Sequence, residues 1–450
     1  PYSHMDWSWR APRTYFEREA NRVIFSMLDC LENFKDYRWE GIHEAVEIRD
    51  FLKSYSELLP RLRKLILEGR IGLPSCMMSD PQFVDVDAET LVRNVIEGKK
   101  YYEETFNIKL GKDADNSVFY LADIAYHHSQ IPQIARKLGY DYYKIDRPNQ
   151  ALERKGVPSS FWWEGLDGSR ALCHIHIYGG GPFPTSSNHF EQNHAFFPIV
   201  AQRFKTELGK TAEASNSDVI LCHDAGDWKL PSIMLTEFVK WWNERLRKPR
   251  LKVATLSDFF RALEQRRLPT YRGTLDPVGW TGGIYGFRAD HFTVAAKRTS
   301  RALLEAEILS TLVYLLGADY PSQGFTQAWR EFCYWLHHEP IYYFDEDYWP
   351  MIKIISSVEE WAKKVIHEKT QFISQLVNSP AGSIIVLNVC NCSRRDVVSS
   401  KISFPKGTKD FRILDIEGNE VKRQVISERR DGNGVLREAE IIFTAHVPSV

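Results

Sequence analysis

Between residues 71 and about 265, short apolar runs alternate with segments of helical period, an order that few folds accept. The runs lie at 71–78, 118–121, 140–145, 170–177, 218–222 and 251–255, each short and rich in β-branched or aromatic residues. Helical spacing appears at about 88–106, where Asp87 is placed to cap, and from Pro132 to Leu138, where Gly139 supplies the stop. It returns near 190–208, over 231–246 and from Ser257. Strand–helix units in series predict an α/β fold with a parallel sheet under helices, and the first 270 residues are enough for a barrel. An open, doubly wound sheet fits the same pattern.

The pattern changes at both ends. Before it, Pro12 starts a helix running to Leu31, and helical spacing recurs over 44–68. After it, the glycine-rich 279–286 leads to helical patterns at 291–316, 323–338 and 357–377, the last with a capping box in Ser357 and Glu360. From 383 the period falls to two, at 384–389, 401–404 and 441–443, as at the start of a β-sandwich. The expected organisation is a barrel domain over 1–270, a three-helix bundle over 271–378, and an incomplete β-sandwich domain over 379–450. Pro1 has almost nothing before it to complete a first strand and Val450 falls in mid-pattern, so the chain is expected to be either short or cut from a longer one.

Composition narrows the partners. A formal net charge of -1 gives no basic surface for nucleic acid or an anionic membrane. No run approaches the roughly 18–20 apolar residues of a transmembrane helix, and no leader-like segment opens the chain. Seven cysteines, odd in number and without a Cys-x-x-Cys pair, argue against a disulfide framework or a thiolate metal site. These features favour the cytoplasm, although the sequon Asn391-Cys392-Ser393 is compatible with secretion, and a lysosomal location stays open. Thirteen Trp, 20 Tyr and 25 Phe suit either large aromatic cores or a sugar-binding cleft.

Four places carry candidate chemistry. Asp123 follows the 118–121 run, where a barrel strand delivers a side chain to its rim, although a surface aspartate at a strand end reads the same way. His4 and Asp6, two apart, point to one side of extended backbone and could share a cation, with Trp9 as a wall. Chance supplies about one His-x-Asp in a chain of this composition. The run at 218–222 leads into Asp224 and Asp227, a second acid for the same rim. Two facing carboxyls are the minimum for glycoside hydrolysis. His337 and His338, placed on the helix expected at 323–338, are by themselves more often a packed or solvated pair than ligands.

Taken in order, four motifs resemble glycoside hydrolase family 38, the α-mannosidases. They are His4-Met5-Asp6-Trp7-Ser8-Trp9, the stretch from Tyr120 to Ile134 around Asp123, the element from Trp280 to Arg288, and His337-His338-Glu339. The blocks 78–102 and 161–170 add weaker similarity. The resemblance implies a (β/α)7 barrel, then a three-helix bundle and β-sandwich domains. It implies one Zn²⁺ held by His4, Asp6, Asp123 and His338, a set that would also take Mn²⁺, Fe²⁺ or Co²⁺. Asp123 would be the nucleophile and Asp227 the acid/base, with Asp224 next in order. Trp9, Trp280, Tyr178, Lys144 and Glu339 would contact substrate.

The departures bear on substrate preference. Pro, Phe and Gly, usual at three positions around the nucleophile, are here Ala122, Ala125 and Tyr126. Lys144 stands where Arg is frequent, and Glu339 replaces Asp. The chemistry implied is hydrolysis of a terminal α-mannoside with retention, through a glycosyl-aspartate, with carboxyl groups about 5–5.5 Å apart. Homo-oligomerisation follows by analogy alone. A metal-dependent deacetylase or amidohydrolase could use similar ligands, and an inactive glycan-binding relative would keep the site without turnover.

Overall fold

The structure is a computed structural model. It describes the chain except residues 9–10, 42–43, 84–85, 177–178, 184–193, 247, 276–287, 339–343, 381 and 450, and only the backbone of 149, 150 and 289. Two compact units emerge, Pro1–Leu303 with Ser322–Trp361, and Leu304–Pro321 with Ala362–Val450. The division falls within the helices Ala289–Leu315 and Asp345–Leu376.

In the first unit the strands Val118–Leu121, Tyr142–Ile145 and Arg170–Ile175 lie side by side and parallel. Ser160–Glu164 adds antiparallel to the last, and Thr270–Arg272 extends the sheet from it. Burial on both faces explains why the 118–121 run is apolar throughout. Phe119 and Leu121 join a core with Ile124, Ile145 and Trp163, while Val118 and Tyr120 pack with Tyr2, Leu172 and Phe260.

Two shorter parallel pairs continue this arrangement, Tyr2–His4 with Ala225–Asp227 and Trp39–Glu40 with Ile71–Gly72. Single hydrogen bonds join the pieces: the Glu40 N–H donates to Pro1 O at 2.8 Å, that of Ser75 to Val118 O at 2.8 Å, and that of Gly180 to Ala225 O at 3.2 Å. Among the described residues, therefore, no sheet closes on itself, and the alternation yields α/β structure without a continuous barrel ladder. The expected strands at 218–222 and 251–255 have no ladder partners. Val219 and Leu221 spend their apolar alternation on packing against the Tyr142 and Phe260 core, and pairing starts only at Ala225.

The helices follow their caps. Asp87 Oδ1 accepts from the Thr90 N–H at 2.8 Å and starts Ala88–Phe106, as its position predicts. That helix lies so close to the chain at 76–78 that a Cβ on Gly98 would fall 2.2 Å from Cys76 O. Only glycine permits the approach. The third long helix departs from expectation. It begins at Asp345, with Asp345, Glu346 and Asp347 in its first turn, so the Ser357–Glu360 box lies inside it. Ser357 Oγ instead donates to Ile354 O, and the acidic first turn supplies the start that the box was expected to give.

In the second unit, Arg394–Ser403, Leu436–Val447 and Arg423–Arg430 form an antiparallel sheet, and Ile413–Leu414 pairs with Glu420–Val421. One face packs through Ala439, Ile441 and Phe443. The period-two run at 384–389 forms no strand, although Ile384 and Val386 pack against that face.

Candidate metal and catalytic site

His4 ends the strand Tyr2–His4. The extended backbone carries Asp6 to the same side, and His4 Nε2 lies 2.7 Å from Asp6 Oδ1. His338, far along the chain, arrives from the opposite direction, with its ring stacked on that of His4 at 5.7 Å. Its Nε2 is 3.8 Å from Asp6 Oδ1 and 3.9 Å from Asp123 Oδ2. One ligand atom each from His4, Asp6 and His338 falls within a 4.8 Å group, and all three residues are buried.

This donor set fits a divalent cation. The His338 backbone N–H and its Nδ1 both lie 3.0 Å from Asp80 O, so Nδ1–H is the donor and Nε2 is left facing the carboxylates. Burial disfavours charge on His4, yet Asp6 foremost, with Asp123 and Asp227 behind it, lifts its pKa well above the usual 6.5. Carboxylates that stabilise a proton on that imidazole would equally stabilise a metal ion beside it.

Asp123 stands just beyond the strand Val118–Leu121, with 20% of its side chain exposed. Its two oxygens are divided. Oδ2 faces His338, and Oδ1 is paired with the Arg147 guanidinium. Nothing in the sequence marked Arg147, because the pairing joins two loops that follow neighbouring strands. His127 ties these loops together: its Nε2 lies 3.0 Å from both Ile124 O and Arg147 O, while Nδ1 accepts from Tyr143 Oη at 2.8 Å. Of the imidazole pair after Asp123, this one is therefore a fully buried structural group.

Burial pushes His127 down to about 4, against 6.5 in the unfolded chain. Between those values the unfolded state binds more protons, so the stability His127 contributes is complete above pH 6.5 and is lost as pH falls toward 4. Urea midpoints at pH 7 and pH 4.5 should reveal the loss, worth up to about 3 kcal/mol. His127→Gln should flatten that part of the profile.

Tyr126 has φ +65°, a left-handed backbone that favours glycine. That requirement accounts for the glycine usual at this position in the resembling family, and tyrosine holds it here at a cost of roughly 1–2 kcal/mol.

The two candidate acids differ. Asp227 is exposed and pairs in register with His4 across the parallel strands, so both side chains leave the same face. Asp224 is 4% exposed and accepts from Lys229 Nζ at 2.5 Å, which commits it to a buried ion pair. Lys144 has no exposed side chain. It pairs with Asp146 and donates to His176 O at 3.1 Å, while Tyr120 Oη donates to Asp146 Oδ2 at 2.5 Å. Expected at the sugar, Lys144 is buried here, with Asp146 and a carbonyl supplying the partners a buried ammonium needs. Trp9, Tyr178, Trp280 and Glu339 lie outside the described residues.

Glu44 and Asp80 also escaped the sequence reading. Both are buried beside the ligand cluster, and burial, followed by Glu44, raises the Asp80 carboxyl well above 3.8.

Comparison with known proteins agrees with this geometry. Residues 1–279 match the sequence profile described as "Glycosyl hydrolases family 38 N-terminal domain". The chain is 20% identical over 405 residues to "Alpha-mannosidase G" of Dictyostelium discoideum, covering 86% of this chain and 33% of that protein. It is 23% identical over 339 residues to "Alpha-mannosidase 2C1" of Homo sapiens, covering 73% and 30%. The chain thus spans about a third of the length of these relatives. Among solved structures, an alpha-mannosidase from Enterococcus faecalis superposes with a TM-score of 0.72 at 16% identity, over 99% of this chain and 54% of that one.

Proposed function

Because this chain belongs to glycosyl hydrolase family 38, we propose that it is a retaining, metal-dependent α-mannosidase acting on terminal α-mannosides. One observation carries the reading: Asp123, a partly exposed aspartate at a parallel strand end, turns one oxygen to within 3.9 Å of His338 Nε2 beside the buried group of His4, Asp6 and His338. The names of its relatives suggest the sugar. The order of strand pieces and the hydrogen bonds between them support reading them as staves of a (β/α)7-type barrel with its rim at Asp123.

His4, Asp6, Asp123 and His338 would hold the ion, and their two nitrogens and two carboxylates suit Zn²⁺. When bound, the ion supplies Lewis acidity toward vicinal sugar hydroxyls. The chain's own groups do the rest. Arg147 pairs with Asp123 Oδ1 and so would orient the carboxylate for attack. Asp123 attacks there while Asp227 gives its proton to the departing glycosidic oxygen. Asp227, now a carboxylate, takes a proton from the water that cleaves the glycosyl-aspartate ester, and both acids return to their starting states. The buried Lys144–Asp146–Tyr120 network holds the strand end from which Arg147 projects.

The assay is release of 4-nitrophenol from 4-nitrophenyl α-D-mannopyranoside by zinc-supplemented protein. Mannoside binding without turnover would favour an inactive glycan-binding relative. The acid assignment has its own test. Asp227→Ala should lower kcat about 10²–10⁴-fold with a poor leaving group, with partial rescue by azide. Asp224→Ala should instead strand the buried Lys229 charge and lower stability by about 3–5 kcal/mol, read as an earlier urea midpoint. Azide rescue of Asp224→Ala but not of Asp227→Ala would exchange the two roles.

A further inference from the structure

The segment Met77–Asp80 is fastened on three sides. The Ala45 and Val46 N–H groups, in the first turn of the helix Ala45–Ser54, donate to Met77 O at 2.7 Å and Met78 O at 3.2 Å. From the helix Ala88–Phe106, Asn94 Oδ1 accepts the Met78 and Ser79 N–H groups at 2.8 and 3.2 Å. Toward the helix Ser322–Tyr334, Ser79 Oγ donates to Cys333 O at 2.5 Å. The fourth residue of the segment, Asp80, is then clamped by Glu44: its N–H donates to Glu44 Oε2 at 3.1 Å. That same oxygen lies 3.6 Å from His337 Nε2.

Asp80 O is the acceptor that orients His338, through both the backbone N–H and Nδ1–H. Glu44 therefore fixes the N–H on one side of the Asp80 Cα, and the carbonyl on the other side fixes the imidazole whose Nε2 faces Asp6 and Asp123. We infer that Glu44 is a positioning residue for the metal centre, setting the direction of the His338 imidazole through the Asp80 main chain while touching neither metal nor substrate. Glu44 is 1% exposed, and removing its acceptor would leave the Asp80 N–H unpaired and loosen the main chain at Asp80, with it the direction of the carbonyl that follows. His338 Nδ1 would then lose its fixed partner. Outer partners of ligating histidines commonly contribute 10–100-fold to metal affinity.

This inference rests on the metal reading above, and the test separates the two. Zn²⁺ affinity is measured by competition with a chromophoric chelator for the wild type, Glu44→Ala and Glu44→Gln, with melting in excess chelator as a control on the fold. Glu44→Ala should bind Zn²⁺ 10–100-fold more weakly, while Glu44→Gln, which keeps an acceptor for the Asp80 N–H, should stay within about threefold of wild type. Should Glu44→Ala not fold, Glu44→Asp withdraws the acceptor by one methylene and should weaken Zn²⁺ at least tenfold with an unchanged metal-free melt. Wild-type affinity in the Ala or Asp variant overturns the inference alone. So does equal weakening in Ala and Gln accompanied by equal loss of metal-free stability. Absence of Zn²⁺ binding by the wild-type chain overturns both this inference and the metal reading.

Discussion

Asp123→Asn should lower kcat by about 10⁴-fold or more, since the amide can neither attack the anomeric carbon nor carry the glycosyl group. The structure makes the interpretation more demanding than a rate alone. One oxygen of Asp123 faces the His338 cluster and the other pairs with Arg147, so the substitution also removes the charge facing the proposed metal site and releases an arginine. A slow-turnover fluorinated mannosyl substrate separates these effects. It should label the wild type with a mass shift that maps to Asp123, and label the variant nowhere. A variant that keeps turnover within tenfold of wild type would remove Asp123 from the nucleophile role, whatever its effect on metal binding.

Removing the metal should be the second large effect. At a thousand times its Kd, a ligand that binds only the folded state adds about 4 kcal/mol of stability. Excess chelator should therefore abolish turnover and lower the melting temperature by several degrees, and zinc should restore both. His338→Ala should melt at the low temperature from the outset and ignore the chelator. If chelation changes neither activity nor melting, the cluster of His4, Asp6 and His338 is a buried hydrogen-bonding centre, and the reading of it as a cation site fails.

How much of this was visible in sequence depends on how local each relation is. His4 and Asp6 were legible because a period of two places both side chains on one face, and the structure brings them to 2.7 Å. The position of Asp123 followed from a strand ending at Leu121. His338 was legible only through the resemblance, because nothing local distinguishes a ligand from a packed histidine, and the helix expected to carry it stops at Tyr334, leaving His337 and His338 beyond its end. The run at 218–222 misled because apolar alternation reports burial, which Val219 and Leu221 do achieve, and is silent on whether a neighbouring strand offers hydrogen bonds. Lys144 was named as a substrate contact through the resemblance, because it stands where Arg is frequent, and sequence alone did not show that it is buried and paired with an aspartate two residues along. Arg147, Glu44 and Asp80 act through contacts between separate loops, which a single sequence cannot display.

The stacking of His4 on His338 sets a timetable. These two rings stand 334 positions apart (338 − 4), yet they touch the same carboxylate. During synthesis the first ring is made 334 residues before the second, which emerges only when nearly all of the first unit described above has been translated. No early intermediate can assemble the cluster, because closing so long a loop must await the helices that bring its ends together. Metal uptake in a refolding experiment should accordingly coincide with the slowest structural phase, and a zinc-sensitive signal would serve as a clock for completion of the chain.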